Sequence, residues 1–107
     1  MKSEYEDEMI ITYLNPIPMN LENQSILDSL INNWCDNNEI QVEFIANTGI
    51  KIKGGFLIMA EFMIWLIQKK PSFDSFIVTD LTYTFQFQVN SSTNKDQIIK
   101  AFSYNLI

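Results

Sequence analysis

The residue whose setting most suggests chemistry is Glu61. It is the sole charged residue in the run 56–67, and the other eleven residues of that run are apolar. A carboxylate among apolar neighbours has a raised pKa and could act as an acid or a base. No second catalytic group lies near it in the sequence, so we expect Glu61 to lie at a helix rim or to pair with a lysine. The candidate partners are Lys51, Lys53 and Lys100.

Cys35 is the second candidate, in a chain with one cysteine and no histidine. A thiol needs a base or a positive field to become a nucleophile, so we expect Cys35 to be a small buried apolar side chain. Without histidine, catalytic triads and histidine metal sites cannot form, and one cysteine cannot hold zinc or an iron–sulfur cluster. Gly54-Gly55 lacks the following lysine and hydroxyl of a phosphate-binding loop. We therefore expect no enzyme, no metal and no cofactor.

Charge is distributed unevenly along a chain whose net charge is −6. Residues 1–47 hold nine acids and one lysine, net −8, whereas residues 48–107 hold four acids and six lysines, net +2. The chain has no arginine, which dominates phosphate and base recognition, and an acidic protein repels nucleic acid. We therefore expect no nucleic-acid partner. The negative half could face a basic protein, although acidic residues also serve solubility alone.

These features predict a non-enzymatic acidic protein-binding module. The expected function is that of an inhibitor or immunity-type protein, which neutralises a basic protein partner such as a bacterial nuclease toxin. Complementary charge would speed the association of the two proteins. The protein-binding residues would lie on helix 20–36 and the strand after it, and they are Glu22, Asp28, Asp36, Glu39 and Glu43.

Two alternative functions remain open. One is a structural or oligomeric subunit, such as a homodimer, with helix 56–67 or the Thr/Gln strand 81–89 at its interface. The other is a small-ligand site between the sheet and helix 56–67.

The elements that position the acidic residues begin with a strand and a helix. The apolar run 9–14 predicts a strand, ended by the turn around Pro16 and Pro18. Asn20 can cap the helix 20–36, and Asn37 or Asn38 can close it in a left-handed conformation. The apolar stripe of that helix is Leu27, Leu30, Ile31 and Trp34. Its polar face is Glu22, Ser25, Ser29, Asn32 and Asp36, with Asp28 at the flank.

A β-hairpin follows that helix. Residues 40–44 and 50–53 both alternate between apolar and polar side chains. A three-residue loop 47–49, with Gly49 left-handed, would pair Phe44 with Ile52 and place Glu43 opposite Lys53.

The second half of the chain predicts two more helices and a long strand. The run 56–67 is too short to span a membrane. It predicts a helix that is apolar on almost all sides and that Pro71 terminates. It must be covered by the sheet and by another helix or a second subunit. Residues 76–78 and 81–89 predict a strand with a bulge at Thr79-Asp80. Thr93 and Asp96 then resemble a capping pair for a short helix, before a tail over residues 104–107.

The element order predicts a single α+β domain over residues 1–107. It resembles the split β-α-β-β-α-β, ferredoxin-like arrangement, an antiparallel sheet with two helices on one face, here followed by a short C-terminal helix. The alternative is an α+β meander in which residues 76–89 form two strands. The acidic residues 1–8 predict a frayed terminus without a signal peptide. With a lone cysteine and no spanning run, we expect a cytoplasmic protein without membrane partners.

Overall fold

The computed structural model describes residues 7–14, 20–45, 48–69, 75–82 and 86–106, with side chains up to Ala101. It contains five strands and three helices within those residues. They are β1 (Asp7–Leu14), α1 (Leu21–Asn37), β2 (Gln41–Ile45), β3 (Gly49–Gly54), α2 (Phe56–Gln68), β4 (Ser75–Asp80), β5 (Gln86–Asn90) and α3 (Lys95–Leu106).

The five strands form one antiparallel sheet in the order β2-β3-β1-β4-β5. The predicted α+β class is therefore confirmed. The exact order differs from the predicted ferredoxin-like sheet because a fifth strand, β5, extends the edge beyond β4. Strands β4 and β5 are the two strands that the alternative prediction placed in residues 76–89.

The single strand predicted over 81–89 is wrong because the chain turns after Asp80. The hydroxyl of Thr82 donates to Asp80 Oδ2 over 3.0 Å in that turn. The predicted bulge at Thr79-Asp80 is thus the end of β4. Within β5 the predicted alternation is confirmed, since Phe87 and Val89 are more buried than the exposed Gln86 and Gln88. Residues 83–85 lie outside the described residues.

One face of the sheet carries the core and the helices. Its strand residues are Met9, Ile11, Val42, Phe44, Ile50, Ile52, Phe76, Val78, Phe87 and Val89. They pack with α1, with α2 and with Ile98 of α3. We call the opposite side the outer face; it carries the alternate strand residues, Lys51 among them.

Helix α1 begins and buries one side largely as predicted. The Asn20 side chain accepts a hydrogen bond of 2.7 Å from the backbone N–H of Asn23, which confirms the N-cap. Its buried residues are Leu27, Ile31 and Cys35. The predicted polar face is exposed throughout. Leu30 departs from the prediction, because its side chain is exposed rather than part of the buried stripe.

The end of α1 differs from the prediction of a left-handed asparagine. Asn38 has a φ of −120° and donates its side-chain amide to the Trp34 carbonyl over 2.8 Å. The left-handed residue is Glu39, with a φ of 60°. Its conformation lets the N–H of Ile40 turn back to the Cys35 carbonyl, 2.9 Å away. The chain can therefore enter β2 directly.

We expect Glu39→Gly to stabilise the fold by about 0.5–1 kcal/mol. A left-handed conformation costs a residue with a Cβ about 1–2 kcal/mol, partly offset by the greater freedom of glycine in the unfolded chain. The midpoint of urea unfolding should rise for this variant. Glu43→Gly is the matched control, because a glycine within strand β2 should lower the midpoint. A lower midpoint for Glu39→Gly would show that the left-handed conformation of Glu39 does not destabilise the fold.

The β2–β3 hairpin forms, but its predicted register is wrong by two residues. Phe44 pairs with Ile50, and Glu43 pairs with Lys51 rather than with Lys53. Gly49 is already in β3 and is not left-handed. The backbone N–H and the hydroxyl of Thr48 both donate to the Ile45 carbonyl, over 3.1 and 3.0 Å. The turn therefore ends at Thr48, one residue before the end of the predicted loop 47–49.

The two ends of the chain also differ from expectation. Strand β1 begins at Asp7, inside the segment 1–8 predicted to fray; residues 1–6 lie outside the described residues. Helix α3 is capped by Asn94 instead of Thr93. The N–H of Gln97 donates to Asn94 Oδ1 and the N–H of Asn94 to Gln97 Oε1, both over 2.9 Å, which is a reciprocal capping box. The helix continues to Leu106, through most of the predicted tail.

Candidate acidic surface on helix α1

Helix α1 presents two of the five predicted binding residues on its solvent-facing side. Glu22 and Asp36 are exposed and lie opposite the buried Leu27 and Ile31. They are separated by 14 positions, about 21 Å along the helix axis. Glu22 lies in the first turn, where a carboxylate meets the positive end of the helix dipole.

Asp28 and Glu39 border this surface without lying at its centre. Asp28 is half-buried at the flank of α1 and accepts a hydrogen bond of 2.9 Å from the side-chain amide of Gln24. Burial raises the pKa of the Tyr13 hydroxyl, and the carboxylate of Asp28 raises it further. Glu39 is exposed in the turn between α1 and β2. Asp28 therefore belongs to the underside of the helix, and Glu39 to its end.

Glu43 lies apart from the other four acids. It belongs to the outer face of the sheet, whereas α1 packs on the opposite face. Its side chain is 71% exposed and lies 3.7 Å from the ammonium of Lys51, which also lies 3.8 Å from Glu8. The structure thus places Glu43 in a charge cluster across β1, β3 and β2. The alternation of Glu43 with Val42 and Phe44 already carried this signal, because alternate strand residues face opposite sides.

The described lysines lie on other elements than α1. Lys51 and Lys53 are on β3, Lys95 and Lys100 on α3, and Lys69 at the end of α2. Lys69 holds its ammonium 5.4 Å from the centre of the Trp65 ring. Helix α1 itself has three acids and no base. Its carboxylates therefore have no lysine partner within their own helix.

Two apolar side chains, missed as surface residues from the sequence, interrupt this acidic face. Ile26 is 53% exposed and Leu30 is 43% exposed. They are four residues apart and continue to Trp34, four residues further, so the three form one ridge along α1. Trp34 is half-buried and stacks on Trp65 of α2, with ring centres 5.7 Å apart and planes at 28°. A helical wheel centred on Leu27, Ile31 and Cys35, rather than on Leu30, would have revealed the ridge.

Glu61 and Cys35 occupy the ordinary settings that the sequence favoured. Glu61 is exposed on α2 and pairs with Lys95 over 2.9 Å, so its partner is on α3 instead of being one of the three lysines predicted. Cys35 is fully buried, and burial raises the pKa of its thiol to about 12. A thiol with that pKa is almost entirely protonated at neutral pH and is a poor nucleophile.

Three further findings concern metal binding, membrane-spanning helices and similarity to other proteins. Across the described ranges, acids and cysteine nowhere gather in a group of three or more that could hold a metal ion. The helices within the same ranges are too short or too polar to cross a bilayer. No family model, curated protein or solved structure matches this chain.

Proposed function

We propose that this protein is a non-enzymatic binding module that uses the solvent-facing side of α1 to bind and neutralise a basic protein. The observation that carries the proposal is a helix with exposed Glu22 and Asp36, exposed apolar Ile26 and Leu30, and no base. Binding sites combine apolar contact with charge, and the carboxylates would attract a positive surface. Enzymes that act on nucleic acids have positively charged surfaces that bind phosphate. A nuclease is therefore a suitable target for an acidic inhibitor of this kind.

One property of the chain supports a cytoplasmic location, and a second favours this function over the oligomeric alternative. Cys35 is buried and needs no oxidising compartment for its role in the core. Most of the apolar surface of α2, one of the two candidate symmetric interfaces, is covered within the chain by the sheet, α1 and α3, although Leu57 stays exposed. The oligomeric-subunit alternative therefore has less free apolar surface to use.

The test is to identify the partner and then remove charge from α1. Proteins retained from the host at low salt and released at high salt would be identified by mass spectrometry, and one of them purified. We expect Glu22→Gln with Asp36→Asn to slow its association about tenfold at low ionic strength, with little effect at high salt.

A matched control makes the same change in net charge on the other two helices. Asp96→Asn with Glu61→Gln removes two carboxylates from α3 and α2, and Asp96 is also a first-turn acid, as Glu22 is. The control should leave the association rate within about twofold, since these charges lie away from α1. Equal slowing by both double variants would mean that net charge alone acts, and the α1 site would be withdrawn.

A further inference from the structure

The ridge of Ile26, Leu30 and Trp34 has a shape that selects the kind of element able to pack on it. Side chains four residues apart form ridges inclined to the helix axis, and such a ridge fits the groove between equivalent ridges of another helix. Eight residues separate Ile26 from Trp34, about 12 Å or two turns. A partner helix of two to three turns would cover this length.

The inner end of the ridge is held in place by aromatic packing. Trp34 contacts Phe62 and Trp65 of α2, with ring centres 5.5 and 5.7 Å away. Phe62 is fully buried, so this end cannot retract from a partner. Ile26 and Leu30 continue outward from it with about half of their surface free. The ridge is therefore a preformed surface, which lowers the entropic cost of binding.

The charges beside the ridge indicate what the partner must carry. Glu22 lies four residues before Ile26 and so continues the row of the ridge, and α1 has no base. Asp36 follows Trp34 by two residues and faces away from it, so Glu22 is the α1 carboxylate beside the ridge. A second copy of this chain is disfavoured as occupant, because each copy of α1 would bring its Glu22 to the contact and neither helix would bring a lysine. A helix with Lys or Arg at the end of its apolar stripe would pair with Glu22.

We propose that the α1 ridge is the docking site for a basic amphipathic helix of the partner protein. The proposal rests on the proposed function and deepens it by naming the partner element. The apolar stripe of the partner helix would pack on Ile26, Leu30 and Trp34, as in other helix-in-groove complexes. A cation at the end of that stripe would face Glu22.

The probe is a synthetic peptide of about 18 residues built from leucine and lysine, long enough to form a helix. In one peptide the leucines form a single stripe, and in the other the same residues are scrambled. Each is titrated into ¹⁵N-labelled protein. We expect the striped peptide to bind about tenfold more tightly than the scrambled one and to shift the backbone amides of residues 22–37.

Two double variants decide whether the ridge is the site. Ile26→Ser with Leu30→Ser should weaken the striped peptide about tenfold. Leu57→Ser with Leu81→Ser is the control, since those leucines are 52% and 43% exposed, against 53% and 43% for the ridge pair. Equal affinity for both peptides, amide shifts confined to other elements, or equal loss in both double variants would overturn the ridge proposal.

Failure of the ridge can be told apart from failure of the proposed function. If the purified natural partner responds to Glu22→Gln with Asp36→Asn but not to Ile26→Ser with Leu30→Ser, the acidic module stands and the helix docking site falls. If the partner responds to neither double variant, both proposals fail.

Discussion

Replacing Phe62 with alanine should destabilise the protein by about 4 kcal/mol, because truncating a buried aromatic residue costs about 3–5 kcal/mol. Phe62 is 0% exposed and lies in the middle of α2. Its ring lies 5.5 Å from that of Trp34 and 5.8 Å from that of Trp65. The variant would lose apolar burial, two aromatic contacts and the packing of α1 on α2 at once.

A loss of this size is a large part of the stability of a small domain, which is typically about 5–15 kcal/mol. For a chain of this length it corresponds to a fall in Tm of about 20 °C. Thermal unfolding followed by tryptophan fluorescence measures it well, because both tryptophans of the chain contact Phe62.

Two companion variants separate packing loss from general sensitivity of α2. Phe62→Leu fills most of the space and should cost about 1.5 kcal/mol, the upper end for apolar changes that nearly conserve volume. Leu57→Ala removes an exposed side chain from the same helix and should change stability by at most about 0.5 kcal/mol. If Phe62→Ala unfolded at the same temperature as Leu57→Ala, the aromatic cluster would not be the junction between α1 and α2.

The sequence predicted those features that are determined by residues close together in the chain. The N-cap at Asn20 and the buried Leu27 and Ile31 follow from side-chain chemistry and helical period, both local properties. The hairpin shows the limit of prediction from such local patterns. A register shift of two residues leaves every side chain on its predicted face, so the alternation cannot distinguish Lys51 from Lys53 as the partner of Glu43.

The remaining differences depend on contacts between distant parts of the chain. An alternating pattern reads the same in one long strand and in two strands joined by a turn, so residues 81–89 could not reveal the edge strand β5. Lys95 could not be chosen as the partner of Glu61, because the position of α3 beside α2 is set by packing. The alternation of β2 already predicts that Glu43 faces away from Val42 and Phe44, but only the fold shows that α1 packs on the opposite side of the sheet from Glu43.

Gly49→Ala should destabilise the protein by about 3 kcal/mol, the upper end of the cost of overpacking. Gly49 begins β3, between Thr12 of β1 and Ile45 of β2. A Cβ at this position would collide with the backbone carbonyl of Ile11 and would lie 3.2 Å from the Cα of Thr12. Backbone atoms in a central strand cannot move aside without breaking the sheet, so the collision cannot be relieved cheaply.

The substitution Gly49→Asn tests this reason against the left-handed turn that the sequence predicted. Asparagine tolerates a left-handed conformation, so it would be mild at a turn glycine but should be at least as damaging as alanine at a close contact. Gly54→Ala at the other end of β3 is the matched control. Its Cβ would meet the Cγ1 of Ile40 at 3.2 Å, a side-chain atom that can shift, so we expect a loss below about 1 kcal/mol. Urea unfolding of the three variants measures the difference, and a Gly49→Asn variant as stable as the parent would show that β1 and β3 do not approach so closely.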